Sequence, residues 1–176
     1  MAAIQKIGVI GAGQMGNGIA HVCAAAGFDV VLLDVSEDAL RKGIGTIDKN
    51  LTRQVSKGKI SEADKAGTLG RIKPTTQYAD FGDSDLVIEA ATEDEAIKRK
   101  IFALLCPVLK PDAYIASNTS SISITRLGAS TDRPAKFMGM HFMNPVPVMK
   151  LVEIIRALQT SDEVYATTKA LAERLN

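Results

Sequence analysis

Short, wholly apolar runs alternate with amphipathic stretches along almost the entire chain. Lys6–Ile10, residues 30–33, Ile72–Thr75, Leu86–Glu89 and Tyr114–Ser117 read as strands, most of them apolar enough to be buried on both faces. Between them the apolar spacing lengthens to the helical period. A helix is expected from about Met15 to Ala26, with Gly27 as its stop. Ser36 can cap a long helix whose Leu40, Ile44, Ile47, Leu51 and Val55 share one face, and Lys57-Gly58-Lys59 ends it. Ser61 begins a short helix to about Leu69. Another helix is expected from about Asp94 to Leu109, stopped before Pro111, and a helical turn near Ser123 to Leu127. Two further strands, KFMGMH and KLVEII, flank a Pro145-Val146-Pro147 corner, and a last helix runs from about Ser161 to the chain end. The β-α-β alternation calls for an α/β fold: a mainly parallel, doubly wound sheet with helices on both faces.

Bulk properties narrow the function. At 176 residues the chain is expected to form one domain, with room for the beginning of a second, and 46% hydrophobic content is ample for a core. A net charge of +1 argues against nucleic acid or a membrane surface as the main partner. The first residues, MAAIQKIGVIGAG, are not expected to act as a signal peptide, because the apolar run is short and ends in glycines. The two cysteines, Cys23 and Cys106, lack metal-ligand spacing and fall in helical apolar patterns, so no metal is expected. Buried thiols in a reducing, cytoplasmic setting are the expectation for them.

The sequence GAGQMG at 11–16 directly follows the first strand and opens the first helix. Gly11 permits a tight turn, Gly13 lets backbone approach a pyrophosphate, and Gly16 lets helix and strand pack closely. Free N–H groups at the helix start then face the phosphates. Asp34 ends the second strand, eighteen residues beyond Gly16, where a carboxylate can hold the adenosine ribose hydroxyls. That carboxylate repels a 2′-phosphate, and Val35-Ser36 brings no arginine to accept one; Arg41 stands seven residues away in sequence. NAD is therefore expected over NADP.

The chemistry-bearing stretch is MGMHFMNPVPVMKLVE at 138–153. It holds His141, one of only two histidines, and Glu153 twelve residues later. The proline corner turns the chain, so imidazole and carboxylate are expected side by side on adjacent strands. A histidine held by an acid is a unit of proton transfer near neutral pH.

With these motifs in view, the chain resembles the 3-hydroxyacyl-CoA dehydrogenases, in particular the bacterial members that act on 3-hydroxybutyryl-CoA. The matching stretches are IGVIGAGQMGNGIA, DLVIEAATED, IASNTSSISI and MGMHFMNPVPVMKLVEII, in the family's order and spacing. The resemblance implies a Rossmann-type fold, an NAD cofactor and oxidation of (S)-3-hydroxyacyl-CoA to 3-oxoacyl-CoA. By position, His141 matches the family's catalytic base, Glu153 its orienting partner, and Ser120 the serine at the reacting oxygen. Gln14, Met15, Glu93, Lys98, Asn118 and Asn144 match cofactor contacts, with Glu93 and Lys98 near the nicotinamide ribose. Lys57 matches a basic residue near CoA, and Asn50 stands where relatives often carry serine. Of the stripe Lys42, Lys49, Arg53 and Lys57, the resemblance speaks for Lys57 alone; the others also fit a solvated helix face. His21 reads as packing, and Glu89 and Asp94 as cap or solvent groups.

The resemblance further implies that residues 1–176 form the NAD-binding domain, with an all-helical domain of the relatives lying beyond it. That domain supplies dimer contacts and one wall of the acyl pocket, so the expected partners are an acyl-CoA substrate and, in the parent, a second subunit. The 176-residue chain by itself is expected to be largely inactive. Two other readings stay open: a dehydrogenase of a small free hydroxy acid, and a non-catalytic NAD-binding or structural relative.

Overall fold

The computed structural model describes residues 3–175. The expected alternation resolves into strands β1 (Lys6–Ile10), β2 (Asp29–Leu33), β3 (Ile72–Thr75), β4 (Leu86–Glu89), β5 (Tyr114–Ser117), β6 (Phe137–Phe142) and β7 (Val152–Arg156). The helices are α1 (Gln14–Ala25), α2 (Glu37–Ser56), α3 (Glu62–Gly70), α4 (Glu95–Leu105), α5 (Ile124–Ala129) and α6 (Asp162–Arg174). All seven strands join one sheet in the order β3-β2-β1-β4-β5-β6-β7. The first six run parallel, and β7 closes the edge antiparallel to β6. The chain walks outward from β1 to β3, then jumps back to β4 on the other side. That reversal opens a crevice at the carboxyl ends of β1 and β4, where ligands of such sheets bind.

The apolar strands are continuous because successive side chains enter opposite cores. Ile7, Val9, Val30, Leu32, Leu86, Ile88, Met138 and Met140 pack in one core, with Ile19, Ile47 and Leu51 from α1 and α2. Ile10, Val31, Leu33, Val87, Ile115 and Phe137 enter the other, with Phe102 and Leu105 of α4 and Leu127 of α5. Phe102 meets Phe137 edge to face at 5.3 Å, a favoured geometry for aromatic pairs.

Several elements depart from the pattern. The helix expected to reach Leu109 ends at Leu105, and Cys106–Val108 continue as a 3-10 turn. Pro107 has no N–H for the Ala103 carbonyl, and its ring collides with it. A 3-10 turn at Tyr78–Phe81 was not foreseen; it drives Phe81 into the core against Gly8, where a Cβ would lie 2.6 Å from the ring. The last helix stops at Arg174, and the expected extension to Asn176 lies outside the described residues. Among the described residues, no helix is long and apolar enough to cross a membrane.

His21 is buried in α1, and its Nδ1 has no hydrogen-bond partner. Desolvation lowers its pKa from 6.5 to about 4. Burial likewise pushes the Cys23 thiol up to about 12, as suits an inert packing cysteine. Between pH 6.5 and 4 the unfolded chain binds a proton at His21 that the fold refuses. Stability at this site is therefore complete above pH 6.5 and falls as pH drops toward 4, by up to about 3 kcal/mol. Urea unfolding at pH 7 and pH 4.5 should show His21→Phe losing about 2 kcal/mol less than the wild type across that interval. Equal losses in the two proteins would contradict a neutral buried imidazole.

Candidate active site

The glycine turn is built by exclusion of side chains. Gly11 has φ of 100°, and a Cβ there would meet the Ala90 carbonyl at 2.7 Å. At Gly16 a Cβ would lie 1.6 Å from the Gly11 carbonyl oxygen, so only glycine lets α1 sit on the turn. Gly13 differs: no protein atom lies within 4 Å of its added Cβ, and the open space is on the exposed side. Gly13 is also the N-cap of α1 and offers no side-chain acceptor. The other five helices are each capped by a side chain, from Ser36, Ser61, Asp94, Ser123 and Ser161. The first N–H groups of α1 are left for an external anion, which fits the pyrophosphate of a dinucleotide. Gln14 and Met15 form that first turn, with Gln14 exposed.

Asp34 follows β2 and locks the turn in place. Its Oδ2 accepts the Ala12 N–H at 2.9 Å and its Oδ1 the Ser36 N–H at 2.9 Å. Beside it, between α2 and β3, lies a cavity of about 580 Å³ with walls from Leu40, Ile44, Pro74 and Thr76. The apolar part of those walls, close to the Asp34 carboxylate, has the shape and character that suit a flat adenine. Arg41 also lines this cavity, so its seven-residue separation from Asp34 does not remove it from the site as sequence spacing suggested. Instead, the Arg41 guanidinium pairs with Asp38 one helical turn back. An Asp34 carboxylate beside the glycine turn, with Arg41 paired to Asp38, is the arrangement expected of a site that takes NAD rather than NADP.

The expected dyad forms at the other end of the crevice. His141 and Glu153 are register partners across β6 and β7, with Nδ1 2.7 Å from Oε2. The carboxylate draws the Nδ1 proton, which leaves Nε2 with the free lone pair. The imidazole side chain keeps 22% of its surface exposed and is therefore reachable. Asn118, one residue beyond β5, accepts the Phe142 N–H at 2.8 Å through Oδ1 and ties the adjacent loop to the dyad strand.

Glu93 organises the loop that carries Ser120. Its Oε2 accepts the Thr119 hydroxyl at 2.6 Å, and its Oε1 the Ser120 N–H at 2.6 Å and hydroxyl at 3.0 Å. Partial burial opposes ionisation of Glu93, but these hydrogen bonds and the Lys98 charge outweigh it and hold the pKa below the usual range. Ser120 is exposed, on the same side of the sheet as His141, the carboxyl edge.

Other expected site residues fall elsewhere. Lys98 turns inward: it is 1% exposed, and its ammonium pairs at 2.5 Å with Glu89, itself fully buried. Reading Glu89 as a cap or solvent group is therefore overturned, because a residue at the carboxyl end of a central strand is covered by helices on both faces. Asp94 does cap α4, accepting the Ile97 N–H. Asn144 is exposed on the β6–β7 loop. Asn50 and Lys57 face a cavity of about 520 Å³ shared with Arg53, Lys59, Lys150 and Pro147. Lys42 and Lys49 do not line it. Lys59 and Lys150 were not singled out from the sequence, and no spacing links residue 150 to residue 57; only the loop's return over α2 does.

A strand order in which β3-β2-β1 meets β4-β5-β6, with an anion-ready turn and a reachable imidazole at one edge, defines a dinucleotide-dependent dehydrogenase domain. Comparison with known proteins agrees: residues 6–176 match the model of the 3-hydroxyacyl-CoA dehydrogenase NAD binding domain, and the chain belongs to that family. It is 59% identical to a 3-hydroxybutyryl-CoA dehydrogenase of Bradyrhizobium diazoefficiens, over 99% of this chain and 59% of that protein. The fold superposes on the crystal structure of (S)-3-hydroxybutyryl-CoA dehydrogenase from Ralstonia eutropha with a TM-score of 0.96 and 51% identity, covering 98% of this chain and 61% of that one. It is also 44% identical to the fatty acid oxidation complex subunit alpha of Psychrobacter arcticus, over 98% of this chain and 24% of that protein. The chain thus spans about three fifths of the 3-hydroxybutyryl-CoA dehydrogenases it matches.

Replacing Asp34 tests the cofactor geometry. Asp34→Ala removes the carboxylate expected to accept the ribose hydroxyls and frees the Ala12 and Ser36 N–H groups. By calorimetric titration it should bind NAD about tenfold more weakly, the effect of losing a charged hydrogen bond. It should also narrow the gap to NADP. Wild-type NADP binding as tight as NAD would contradict the assignment.

Proposed function

We propose that this chain is the catalytic NAD-binding part of an enzyme that interconverts (S)-3-hydroxyacyl-CoA, chiefly 3-hydroxybutyryl-CoA, and the 3-oxoacyl thioester. The observation that carries the reading is the 2.7 Å His141–Glu153 contact, with the imidazole reachable on the sheet edge that also carries the anion-ready turn. The nicotinamide, when bound, supplies the hydride acceptor. The chain's own groups handle the proton and the position of the substrate. His141 Nε2 takes the proton from the 3-hydroxyl as the carbon–hydrogen bond breaks, and Glu153 stabilises the imidazolium that results. Ser120, held by Glu93, donates to or accepts from the same oxygen and keeps it near the imidazole. In the reverse direction the imidazolium returns the proton to the ketone oxygen.

A thioester substrate is favoured over a free hydroxy acid by the cavity beside α2. Arg53, Lys57, Lys59 and Lys150 bring four cations to one hollow of about 520 Å³, far more charge than a small carboxylate needs. CoA phosphates suit it. A non-catalytic role is disfavoured because Glu153 orients an accessible imidazole. A reducing, cytoplasmic setting accords with the free buried cysteines, and homodimerisation of the full-length enzyme belongs to the same proposal.

Two measurements test this reading. In a full-length enzyme carrying this domain, His141→Ala should cut turnover by about a hundred- to ten-thousand-fold, the usual worth of general base catalysis. NAD affinity should stay near wild type, and Glu153→Gln should give a smaller loss. Unchanged turnover in His141→Ala at saturating substrate would remove the assigned base. The second measurement follows NADH oxidation with acetoacetyl-CoA against acetoacetate. The thioester should be strongly preferred, and the 176-residue chain alone should bind NAD yet turn over far more slowly than the full-length enzyme. Misplacement of substrate by about an ångström already costs a hundredfold.

A further inference from the structure

Glu89 stands at the end of β4 between the two halves of the site. Its register partners are Ile10, immediately before the glycine turn, and Ser117, immediately before the Ser120 loop. The carboxylate is wholly buried and accepts three hydrogen bonds. They come from the Ala91 N–H at 2.9 Å, the Ser117 hydroxyl at 2.7 Å and the Lys98 ammonium at 2.5 Å. The Ser117 oxygen in turn accepts the Thr119 N–H at 3.4 Å. Thr119 donates its hydroxyl to Glu93 and accepts the N–H groups of Ser121 and Ile122. Glu93 then holds Ser120 by backbone and side chain. A continuous hydrogen-bonded path therefore leads from the core carboxylate to the exposed serine.

Stability does not account for such an arrangement. A buried ion pair loses the hydration of two charges, and a well-packed apolar pair of similar volume serves a core as well or better. What an apolar pair cannot do is aim hydroxyl and amide groups. We propose that Glu89 is a positioning residue: through Ser117 and Thr119 it fixes the 118–121 loop and Glu93 around the nicotinamide half of the cofactor site. Lys98 supplies the countercharge that lets the carboxylate remain in the core. This rests on the cofactor reading above, and the test separates the two.

The experiment compares Glu89→Gln and Ser117→Ala with the wild-type chain. Calorimetry uses NAD and, as a probe lacking the nicotinamide riboside, ADP. Glu89→Gln is expected to weaken NAD about tenfold, and Ser117→Ala several-fold, as outer-shell partners of bound groups do. ADP affinity should stay at the wild-type value in both, because Asp34 and the glycine turn are untouched. Amide hydrogen exchange at residues 119–121 should quicken. In a variant that still folds, equal weakening of both nucleotides overturns the proposal. So does unaltered NAD binding by Ser117→Ala, which keeps the ion pair and cuts only the link; this variant decides the matter if Glu89→Gln does not fold. A wild-type chain that binds neither nucleotide would instead overturn the cofactor reading, and the inference with it.

Discussion

One row of the sheet ladder sets the positions of the groups that line the crevice at the carboxyl edge. Leu33, Ile10, Glu89, Ser117 and Gly139 are successive register partners across β2, β1, β4, β5 and β6. Asp34, Gly11, Asn118 and His141 each follow that row by one or two residues, and Glu93 by four. Parallel pairing points all five strands the same way, so the ends of distant segments become neighbours. A slip of one residue in any strand would exchange its two faces and take the attached group out of the crevice.

The row also explains how the edge is charged. Its centre is occupied by a carboxylate rather than by an apolar side chain, and Lys98 comes inward from α4 to meet it. To either side the turns are stripped of side chains or filled with short hydroxyls, as at Gly11, Gly16, Thr119 and Ser120. The first N–H groups of α1 are uncapped, while the other helices satisfy theirs with serine or aspartate. Unmet donors at one end, an acceptor-rich loop in the middle and an oriented imidazole at the far end make a crevice that grades from anion binding to proton transfer. The cavity between α2 and β3, with its Leu40, Ile44 and Pro74 walls, and the basic hollow at Arg53, Lys57, Lys59 and Lys150 flank that crevice.

The sequence by itself determined the strands, the five helix starts marked by serine or aspartate, and the glycine turn that opens the remaining helix, α1. These depend on periodicity, on φ freedom and on caps, which are properties of a few adjacent residues. It also paired His141 with Glu153, because a proline corner between two apolar runs leaves little choice but adjacent strands. Tertiary structure decided what distance in sequence conceals. Glu89 reads as a cap or solvent group until helices cover both faces of β4, and Lys98, matched by resemblance to a cofactor contact, is drawn inward to that carboxylate. Arg41 stands seven residues from Asp34 in sequence, yet as the fifth residue of α2 it lines the cavity between α2 and β3 and pairs with Asp38. Lys150 joined Lys57 only when the β6–β7 loop folded over α2. Burial and charge pairing are set by which segments meet across the sheet, and that is fixed by packing and register rather than by any local pattern.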